Sequence, residues 1–395
     1  MLKENVRSDC FFEIEPTNSG GIKLELKSKV AMLYGKSIKE QVEEMCMLFK
    51  LKNADILLED FGAPPFVIAA RFESAVKKIF PEGKEEFLLP FNKKNLYSSS
   101  KDKLRRSRLY LPGNEPKFLL NAGLHKPDGI ILDLEDSVAP PEKAAARILV
   151  RNALRSVDFY DSERMVRINQ LPLGLEDLEF VIPQNVHVIL IPKCESADQI
   201  VEVDDQIKRI RHENNIKNEV YLMPIIESAL GVIKAYEIAS SVKNICALTI
   251  GLEDYTADIG TQRTLEGKES FFARSIIVNA AKAAGIQAID TVYSDVADME
   301  GLKQSVIEAK SLGFEGKGCI HPRQIPVIHR YFEPAPEEIE KAKKIVLAFE
   351  DAELKGLGVV SIGTKMIDAP VVKRAQRTIH QAVLNNLLDE DWKEK

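Results

Sequence analysis

Eight short apolar runs recur between residues 108 and 321, and each ends in a charged or turn-forming residue. Stretches with the periodicity of an amphipathic helix separate most of these runs. This alternation predicts a parallel sheet built from βα units, and eight such units predict an α/β fold with a closed (β/α)₈ TIM barrel. The predicted strands are Arg108–Gly113, Gly129–Asp136, Met165–Asn169, Val188–Lys193, Val220–Glu227, Cys246–Gly251, Ala288–Tyr293 and Gly318–His321.

A different pattern precedes the barrel and predicts a small α+β domain over residues 1–82. Two apolar segments flank the loop PTNSGG, which is rich in turn-forming residues. A helical stretch, a third apolar segment and a second helical stretch follow. The predicted strands are Phe11–Glu15, Gly21–Leu26 and Ala54–Leu58, and the predicted helices are Ser37–Phe49 and Phe66–Ile79.

Two further segments flank the barrel, which we place at residues 105–332. Residues 83–104 show no sustained periodicity, so we interpret them as a linker. Residues 333–395 form a C-terminal extension that a barrel does not need, and we expect it to cover the active site or reach a neighbouring subunit. Its predicted elements are the helices Pro336–Leu354 and Val371–Leu387 and a short hairpin at Val359–Ile367.

Composition narrows the class of protein. With 395 residues, of which 45% are hydrophobic, the chain is long enough to bury a full barrel core and to leave about a hundred residues for another domain. The net charge of −6 is spread over interleaved acids and bases, which indicates no nucleic-acid partner. The 5 cysteines are scattered without a CxxC pair, which is typical of a reducing compartment. No signal-like or membrane-length apolar run occurs, so we expect a cytoplasmic protein with no membrane contact.

Two acids at adjacent strand ends are candidate metal ligands. Glu227 ends the fifth predicted strand and Asp254 follows the sixth, and the carboxyl ends of barrel strands face one cavity. Two carboxylates whose remaining positions are filled by water and substrate are a usual Mg²⁺ site. The alternative is that each acid caps the following helix. Glu253 competes with Asp254, because a strand end located from sequence is uncertain by about two residues.

Arg167 lies near the end of the third predicted strand. An arginine inside an apolar strand needs a partner, and its planar fork suits a substrate carboxylate or an oxyanion. A buried pair with Asp133 or Glu135 on the second strand is the alternative, and both interpretations can hold together. Asp133, Glu135 and Asp136 crowd one short stretch, so some of them must orient Arg167 or metal-bound water.

Lys193 ends the fourth predicted strand and supports a rival chemistry. A lysine desolvated in a barrel can form a Schiff base with a carbonyl substrate. Lysines at strand ends are more often ion-pair partners, which is the plainer interpretation.

The loop after the first strand, Pro112, Gly113 and Asn114, has backbone N–H groups that can approach a phosphate. It matches neither a P-loop nor a GxGxxG fingerprint, so this signal is weak by itself.

Several separated stretches together resemble the citrate lyase β-subunit family, within the HpcH/HpaI aldolase superfamily. The resemblance runs from about Leu104 to Leu387 in consistent order. The matching sequences are RSRLYLPGNEPKF, GIILDLEDSVAPPEK, VRIN, IPK, IIESALGV, GLEDYTADIG, AGIQAIDTVYSD, GFEGKGCIHPRQI and GTKMIDAPVV.

The resemblance implies a Mg²⁺-dependent barrel enzyme that cleaves a carbon–carbon bond in a 3-hydroxyacyl thioester. By motif, Glu227 and Asp254 would hold the metal. Arg167 would bind the carboxylate or hydroxyl region of the substrate, with Asp136 or Glu135 behind it.

Two further assignments follow from the same resemblance. Asp368, in the sequence MIDAP, corresponds to an acid that such enzymes bring over the active site, often from an adjacent subunit, which implies a homotrimer. The loop of Pro112, Gly113 and Asn114 would lie on the nucleotide side of a CoA thioester.

Residues 8–79 resemble the acyl carrier (γ) subunit of citrate lyase, notably in SDCFFEIEP, GGIKLELKSKV and YGKSI. In that family a serine near the start of the first strand carries a phosphoribosyl-dephospho-CoA arm, and Ser8 is the matching position. The glycine- and acid-containing segment before that serine is replaced here by MLKENV. A retained domain without its prosthetic group is therefore the alternative.

The expected activity is a retro-Claisen cleavage of a citryl thioester, as citryl-CoA or on a carrier, into an acetyl thioester and oxaloacetate. A citramalyl-CoA or malyl-CoA lyase is the nearest alternative. The shape of the substrate pocket decides between these substrates, and the sequence does not reveal whether that pocket accepts one extra carboxymethyl group. A third candidate is a non-catalytic carrier or assembly subunit that needs a separate acyl-transferase partner, similar to the citrate lyase α subunit.

Overall fold

The computed structural model describes residues 6–354, 360–362 and 365–393. Its centre is a closed parallel barrel whose strands follow one another in chain order, with the last pairing to the first. The predicted TIM barrel is thereby confirmed. A smaller sheet precedes the barrel and consists of β1 (Cys10–Pro16), β2 (Ile22–Ser28) and β3 (Ala54–Asp60). The barrel strands are β4 (Ser107–Pro112), β5 (Gly129–Asp133), β6 (Glu163–Arg167), β7 (Val188–Ile191), β8 (Tyr221–Ile226), β9 (Ala247–Ile250), β10 (Gln287–Asp290) and β11 (Gly316–Cys319).

Several predicted strands extend past their observed carboxyl ends. The predicted strand at Gly129–Asp136 leaves the sheet after Asp133. Leu134 prolongs the apolar run because it is buried in the outer core, between the sheet and the helices. Burial therefore continues where the strand has already ended.

Helices surround the barrel and connect its strands. They are α3 (Pro116–Leu119), α4 (Lys143–Ser156), α5 (Leu173–Val181), α6 (Ala197–Glu213), α7 (Ala229–Ile233), α8 (Ala235–Ala239), α9 (Leu252–Asp258), α10 (Lys268–Ala283), α11 (Met299–Leu312) and α12 (Gln324–Phe332). The small domain contributes α1 (Ala31–Leu48) and α2 (Pro65–Ile79). Because strands in such a barrel are buried on both faces, they read as continuous apolar runs rather than as alternating ones.

The three strands of the small domain have the order β1-β3-β2. β3 runs antiparallel to β1 and parallel to β2, so the two strands joined by the PTNSGG loop do not pair with each other. The loop instead crosses the start of β3, where Asn53 accepts hydrogen bonds from the backbone N–H groups of Thr17 at 3.1 Å and Gly21 at 2.9 Å.

The small domain is docked firmly on the barrel. Glu73 of α2 and Arg151 of α4 are both fully buried and form an ion pair at 2.7 Å. Phe66 and Val67 belong to the same apolar core as the barrel helices. The two parts of the chain therefore share a core.

Residues 83–104, interpreted above as a linker, run along the amino-terminal ends of the barrel strands. The buried Asn95 side chain donates to the carbonyls of Leu154 at 3.2 Å and Val157 at 2.6 Å. Tyr97 donates its hydroxyl to the Ser162 carbonyl at 2.6 Å. The segment is thus held by specific hydrogen bonds.

The C-terminal extension contains α13 (Pro336–Leu354), the antiparallel pair β12 (Val360–Ile362) and β13 (Lys365–Ile367), and α14 (Ala369–Leu384). The turn of the predicted hairpin lies outside the described residues. Ion pairs from Arg377 to Glu315 at 2.9 Å and from Glu338 to Lys310 at 3.3 Å hold the extension beside α11 and the start of β11. None of the described helices combines the length and apolar character needed to cross a membrane.

Candidate active site

A cavity of about 510 Å³ opens at the carboxyl ends of the barrel strands. Among the described residues, its charged lining comprises 6 acids and 2 arginines. The C-terminal extension contributes no described residue to this lining. This excess of carboxylates favours a cationic ligand. The charged lining residues are Arg108, Asp133, Asp136, Arg167, Glu227, Glu253, Asp254 and Asp290.

Arg167 and Asp133 form the central ion pair of this cavity. They end the neighbouring strands β6 and β5 and lie opposite each other in the sheet register. Arg167 donates through Nε and Nη2 to the two oxygens of Asp133, each at 2.7 Å. Although burial by itself would raise the pKa of Asp133, the guanidinium holds that pKa below its ordinary value. The predicted buried pair is therefore formed.

Glu135 and Asp136 lie on the other side of the same guanidinium. Nη1 of Arg167 is 2.9 Å from Glu135 Oε2 and 3.5 Å from Asp136 Oδ2. Glu135 is buried, which raises its pKa, whereas the Asp136 side chain is exposed. Burial alone would lower the pKa of Arg167, yet the surrounding acids keep it above its ordinary value. Arg167 therefore stays charged.

Glu227 follows β8 directly and is only 6% exposed. Its Oε2 accepts the backbone N–H of Lys193 at 2.9 Å. Burial, with smaller contributions from the Asp254 and Glu135 charges, raises the pKa of Glu227 to about 7. Burial therefore outweighs the Lys193 N–H and the Arg167 charge, which both act to lower the pKa of Glu227.

Asp254 and Glu253 occupy the first turn of α9, and neither caps the helix with its side chain. Glu253 is held by Arg263 Nη1 at 2.6 Å, whereas Asp254 Oδ1 lies 3.3 Å from Lys193 Nζ. Although burial alone would lower the pKa of Lys193, Asp254 keeps it above its ordinary value. A Schiff-base lysine needs a lowered pKa, so this ion pair disfavours that chemistry.

The residues present fit a hard divalent cation. Glu227 and Asp254 line one cavity, and carboxylate oxygens are the ligands that Mg²⁺ prefers. Among the described residues no three acidic, histidine or cysteine side chains form a complete metal cluster. A Mg²⁺ ion here would take its other ligands from water and substrate, as such ions usually do.

The loop after β4 is tied to the neighbouring strand. The Gly113 N–H donates to the Asp133 carbonyl at 2.8 Å, and a Cβ at position 113 would stand 2.6 Å from that oxygen. The Gly113 N–H is therefore not free for a phosphate, contrary to expectation. Pro112 lines the main cavity, while Asn114 lines a second cavity.

That second cavity, of about 740 Å³, lies between the small domain and this loop. Arg71 of α2 forms a two-pronged ion pair with Asp9 at 2.9 and 2.8 Å and also donates to the Asn114 carbonyl at 3.0 Å. Ser8 directly precedes Asp9, and its N–H donates to Phe61 O at 3.1 Å. Arg71 thus links Asp9, the residue that follows Ser8, to the loop after β4.

Asp368 lies apart from the cavity of its own chain. It caps α14, where its Oδ1 accepts the Val371 N–H at 3.1 Å, and its side chain is exposed. A role for Asp368 over an active site stays a prediction that involves a neighbouring copy.

The sequence interpretation overlooked Arg108, which also lines the cavity. Arg108 was treated only as the start of a strand. The available signal was the strand period, because side chains two residues apart face the same side. Arg108 therefore shares the inward face of β4 with Tyr110 and Pro112, both of which line the cavity.

Comparison with known proteins agrees with this arrangement. Residues 106–322 match the family model described as HpcH/HpaI aldolase/citrate lyase. Residues 6–79 match a model of acyl carrier type described as malonate decarboxylase delta subunit (MdcD). The two matches separate the chain into a barrel and a carrier-like domain.

Individual relatives match about 70% of the chain. Citrate lyase subunit beta of Haemophilus influenzae is 42% identical over 71% of this chain and 97% of its own length. The mitochondrial citramalyl-CoA lyase of Homo sapiens is 34% identical over 70% of this chain and 84% of its own. The structure of CitE from Mycobacterium tuberculosis in complex with magnesium, acetoacetate and coenzyme A has a TM-score of 0.59 at 29% identity, covering 72% of this chain and 99% of that one. The chain is therefore a lyase that belongs to the HpcH/HpaI aldolase/citrate lyase family, with an acyl-carrier-like domain joined to its barrel.

Proposed function

We propose that the barrel cleaves a citryl thioester into an acetyl thioester and oxaloacetate, using Mg²⁺. The observation that carries this proposal is the buried Glu227, whose pKa is raised to about 7, in an acid-rich cavity that it shares with Asp254. The relative named citrate lyase subunit beta is 42% identical, and the CitE complex with magnesium and coenzyme A supports both the metal and the CoA-type substrate.

Glu227 and Asp254 would hold the metal ion. When bound there, Mg²⁺ lowers the pKa of a coordinated substrate hydroxyl and polarises the neighbouring carboxylate. The raised pKa of Glu227 supports this role, because a divalent cation adds positive charge where the Arg167 charge alone does not offset burial.

Arg167 would orient the acid end of the substrate. Asp133 fixes the guanidinium plane through two hydrogen bonds of 2.7 Å, and Tyr110 lies 5.5 Å beneath it. A guanidinium held in this way keeps its position when a substrate carboxylate arrives, which aligns the bond to be broken. As that bond breaks, charge moves to the thioester oxygen and needs a nearby donor or cation.

The test is an assay with three thioesters. Citryl-CoA, citramalyl-CoA and malyl-CoA are each incubated with the protein and Mg²⁺, and the oxo acid released is measured with a coupled dehydrogenase. We expect citryl-CoA to be cleaved fastest, EDTA to abolish turnover, and Glu227→Gln to lower kcat at least about 10³-fold. Turnover that survives EDTA would contradict the metal assignment, and preference for citramalyl-CoA or malyl-CoA would establish the alternative substrate.

Ser8 would carry a phosphoribosyl-dephospho-CoA arm that presents the acyl group to the barrel. The match to a carrier-type model over residues 6–79 supports this, as does the link that Arg71 makes between the neighbouring Asp9 and the loop after β4. Since the domain is docked through the buried pair of Glu73 and Arg151, the arm itself would have to reach the cavity. The intact mass of protein from its native host tests this, with Ser8→Ala as the control that removes the added mass.

Asp368 would act on the active site of a neighbouring copy in a homotrimer, and a citrate lyase α-like acyl-transferase would be the partner subunit. The exposure of Asp368, away from its own cavity, supports action in trans. Co-expressing inactive Glu227→Gln with inactive Asp368→Asn should restore part of the activity, because mixed oligomers contain intact composite sites. Absence of any restored activity in mixed oligomers would contradict the proposal.

A further inference from the structure

The floor of the active-site cavity holds a buried guanidinium without an acidic partner. Arg108 is 1% exposed, and its Nη1 contacts Met223 Sδ at 2.9 Å while Nη2 donates to Thr249 Oγ1 at 3.2 Å. Its Nε has no hydrogen-bond partner. Within the described part of the chain no carboxylate forms an ion pair with it. Both acceptors are neutral, and a thioether sulfur is a weak acceptor.

Other buried arginines of this protein are compensated. The carboxylate pairs are Arg105 with Glu163 at 2.7 Å, Arg151 with Glu73 at 2.7 Å and Arg274 with Asp290 at 3.0 Å. Arg164 has no acid but donates to the backbone carbonyls of Asn95 at 2.5 Å and Tyr97 at 3.3 Å. Arg108 has neither kind of compensation, although a buried charge is costly unless it is paired.

The cavity is where an anion can reach Arg108. Arg108 and Thr249 both line it, together with Arg167 and Glu227. Arg167 is already engaged by the two oxygens of Asp133. Arg108 is therefore the cavity arginine whose charge the described protein leaves unpaired, and burial holds its pKa below its ordinary value.

Depth separates the two arginines. Arg167 is the last residue of β6, whereas Arg108 lies four residues before Pro112, the end of β4. Glu227 follows the last residue of β8, at the carboxyl end of that strand. A substrate whose hydroxyl and first carboxylate lie near Glu227 and Arg167 would therefore point its remaining substituent down toward Arg108.

We propose that Arg108 is a specificity-determining residue that receives the second carboxylate of the acyl group. Citryl and citramalyl thioesters differ at one substituent, which is a carboxymethyl group in the first and a methyl group in the second. A guanidinium and a carboxylate form two parallel hydrogen bonds. Such bonds would satisfy the Arg108 N–H groups that Met223 and Thr249 leave without a good acceptor. A methyl group would leave the buried charge unpaired. This inference rests on the proposed lyase function.

The first experiment compares kcat/KM for citryl-CoA and citramalyl-CoA in the full-length protein and in Arg108→Met. We expect the ratio of the two values to fall about 100-fold in Arg108→Met, mainly through the citryl-CoA value, because a site built to bind a polar group discriminates strongly against its absence. Arg155→Met is the matched control, because Arg155 donates to the Leu89 carbonyl outside the cavity. It should keep the wild-type ratio.

A second readout does not depend on turnover. Thermal unfolding is followed with Mg²⁺ and either oxaloacetate or pyruvate, two oxo acids that differ by one carboxylate. Wild-type protein should be stabilised more by oxaloacetate, and Arg108→Met should respond equally to both. If no thioester is cleaved but this difference holds, the lyase proposal fails while the role of Arg108 stands. If cleavage occurs and Arg108→Met keeps the wild-type ratio, Arg108 is only structural and the inference is overturned.

Folding of the variant is itself informative. Without ligand, Arg108→Met should unfold at the wild-type temperature or above it, because it replaces an unpaired buried charge with an apolar side chain of similar length. If Arg108→Met fails to fold, Arg108→Lys takes its place, since lysine keeps the charge but lacks the fork. An unchanged citryl-to-citramalyl ratio in Arg108→Lys would overturn the inference, and a ratio lowered about tenfold or more would support it.

Discussion

Gly251 lies against the side chain of Glu227, and a Cβ at position 251 would stand 2.8 Å from Glu227 Cγ. Gly251 ends the connection between β9 and α9, the helix that carries Asp254. The two acid-bearing elements can approach each other only because position 251 has no side chain. The geometry of the candidate metal site therefore depends on a residue that has no functional group.

Gly251→Ala should displace the Glu227 carboxylate without unfolding the barrel. We expect kcat/KM to fall about 10- to 100-fold, since small displacements of a reacting group have effects of that order. The Mg²⁺ concentration for half-maximal activity should rise at the same time. Both are measured by steady-state kinetics across a Mg²⁺ titration.

Gly35→Ala is the matched control for that substitution. Gly35 lies inside α1, where a Cβ would make ordinary contacts at 3.6 Å with Ala31 and 3.9 Å with Leu26. It should leave the kinetics unchanged and stabilise the protein by about 0.5–1 kcal/mol. Wild-type kinetics in Gly251→Ala would show that the close approach to Glu227 has no functional consequence.

Lys193 should act as the ion-pair partner of Asp254 and not as a nucleophile. Treatment with borohydride and either oxaloacetate or pyruvate should leave the intact mass unchanged. Lys193→Arg cannot form a Schiff base but keeps the charge, so its kcat should stay within about tenfold of wild type. An adduct that maps to Lys193, together with an inactive arginine variant, would instead establish Schiff-base chemistry.

Arg71→Leu should loosen the small domain from the loop after β4. The substitution leaves the mostly buried Asp9 without its partner, which costs about 3 kcal/mol of unfolding free energy. Hydrogen exchange should quicken in the segments around Asp9 and Asn114, as followed by mass spectrometry. The exposed pair of Lys23 and Asp55 provides a control, because Lys23→Leu should change stability by less than about 0.5 kcal/mol. Equal exchange in both variants would show that Arg71 does not hold the junction.

His187 should make the protein sensitive to acid. It is buried, its Nδ1 accepts the Arg164 N–H at 3.1 Å, and its Nε2 lies 2.9 Å from Tyr97 O. Burial and the Arg164 charge lower the pKa of His187 to about 3. In the unfolded chain His187 binds a proton near pH 6.5, whereas in the folded chain it stays neutral down to about pH 3. The contribution of His187 to the free energy of unfolding is therefore complete above pH 6.5 and declines as the pH falls toward 3.

Urea unfolding at pH 7 and pH 5 measures this effect. We expect His187 to contribute about 2 kcal/mol less at pH 5 than at pH 7, and His187→Gln to remove that difference. His125 is exposed, so His125→Gln should keep the wild-type pH dependence. A His187→Gln variant with the same pH dependence as wild type would show that His187 is not the responsible group.

Much of the fold was predictable because it depends on local order. Most of the barrel strands contain a run of buried apolar residues, and this marks them whatever their neighbours are. The pairing of Arg167 with Asp133 was among the predicted alternatives for the same reason, since strands adjacent in the chain are adjacent in a barrel and their ends meet. Helix Pro336–Leu354 was predicted with the bounds that the structure has.

Periodicity and burial are properties of short segments, so the barrel, the small domain before it and the strand ends where carboxylates gather could be predicted without coordinates. Four features became visible only in the folded chain. They are the β1-β3-β2 order, the hydrogen bond from the Gly113 N–H to Asp133, the position of Asp368 away from its own cavity and the unpaired charge of Arg108. Each of these depends on how separate segments of the chain pack against one another. A short segment contains no information about a partner in another segment, such as Met223, which lies 115 residues from Arg108.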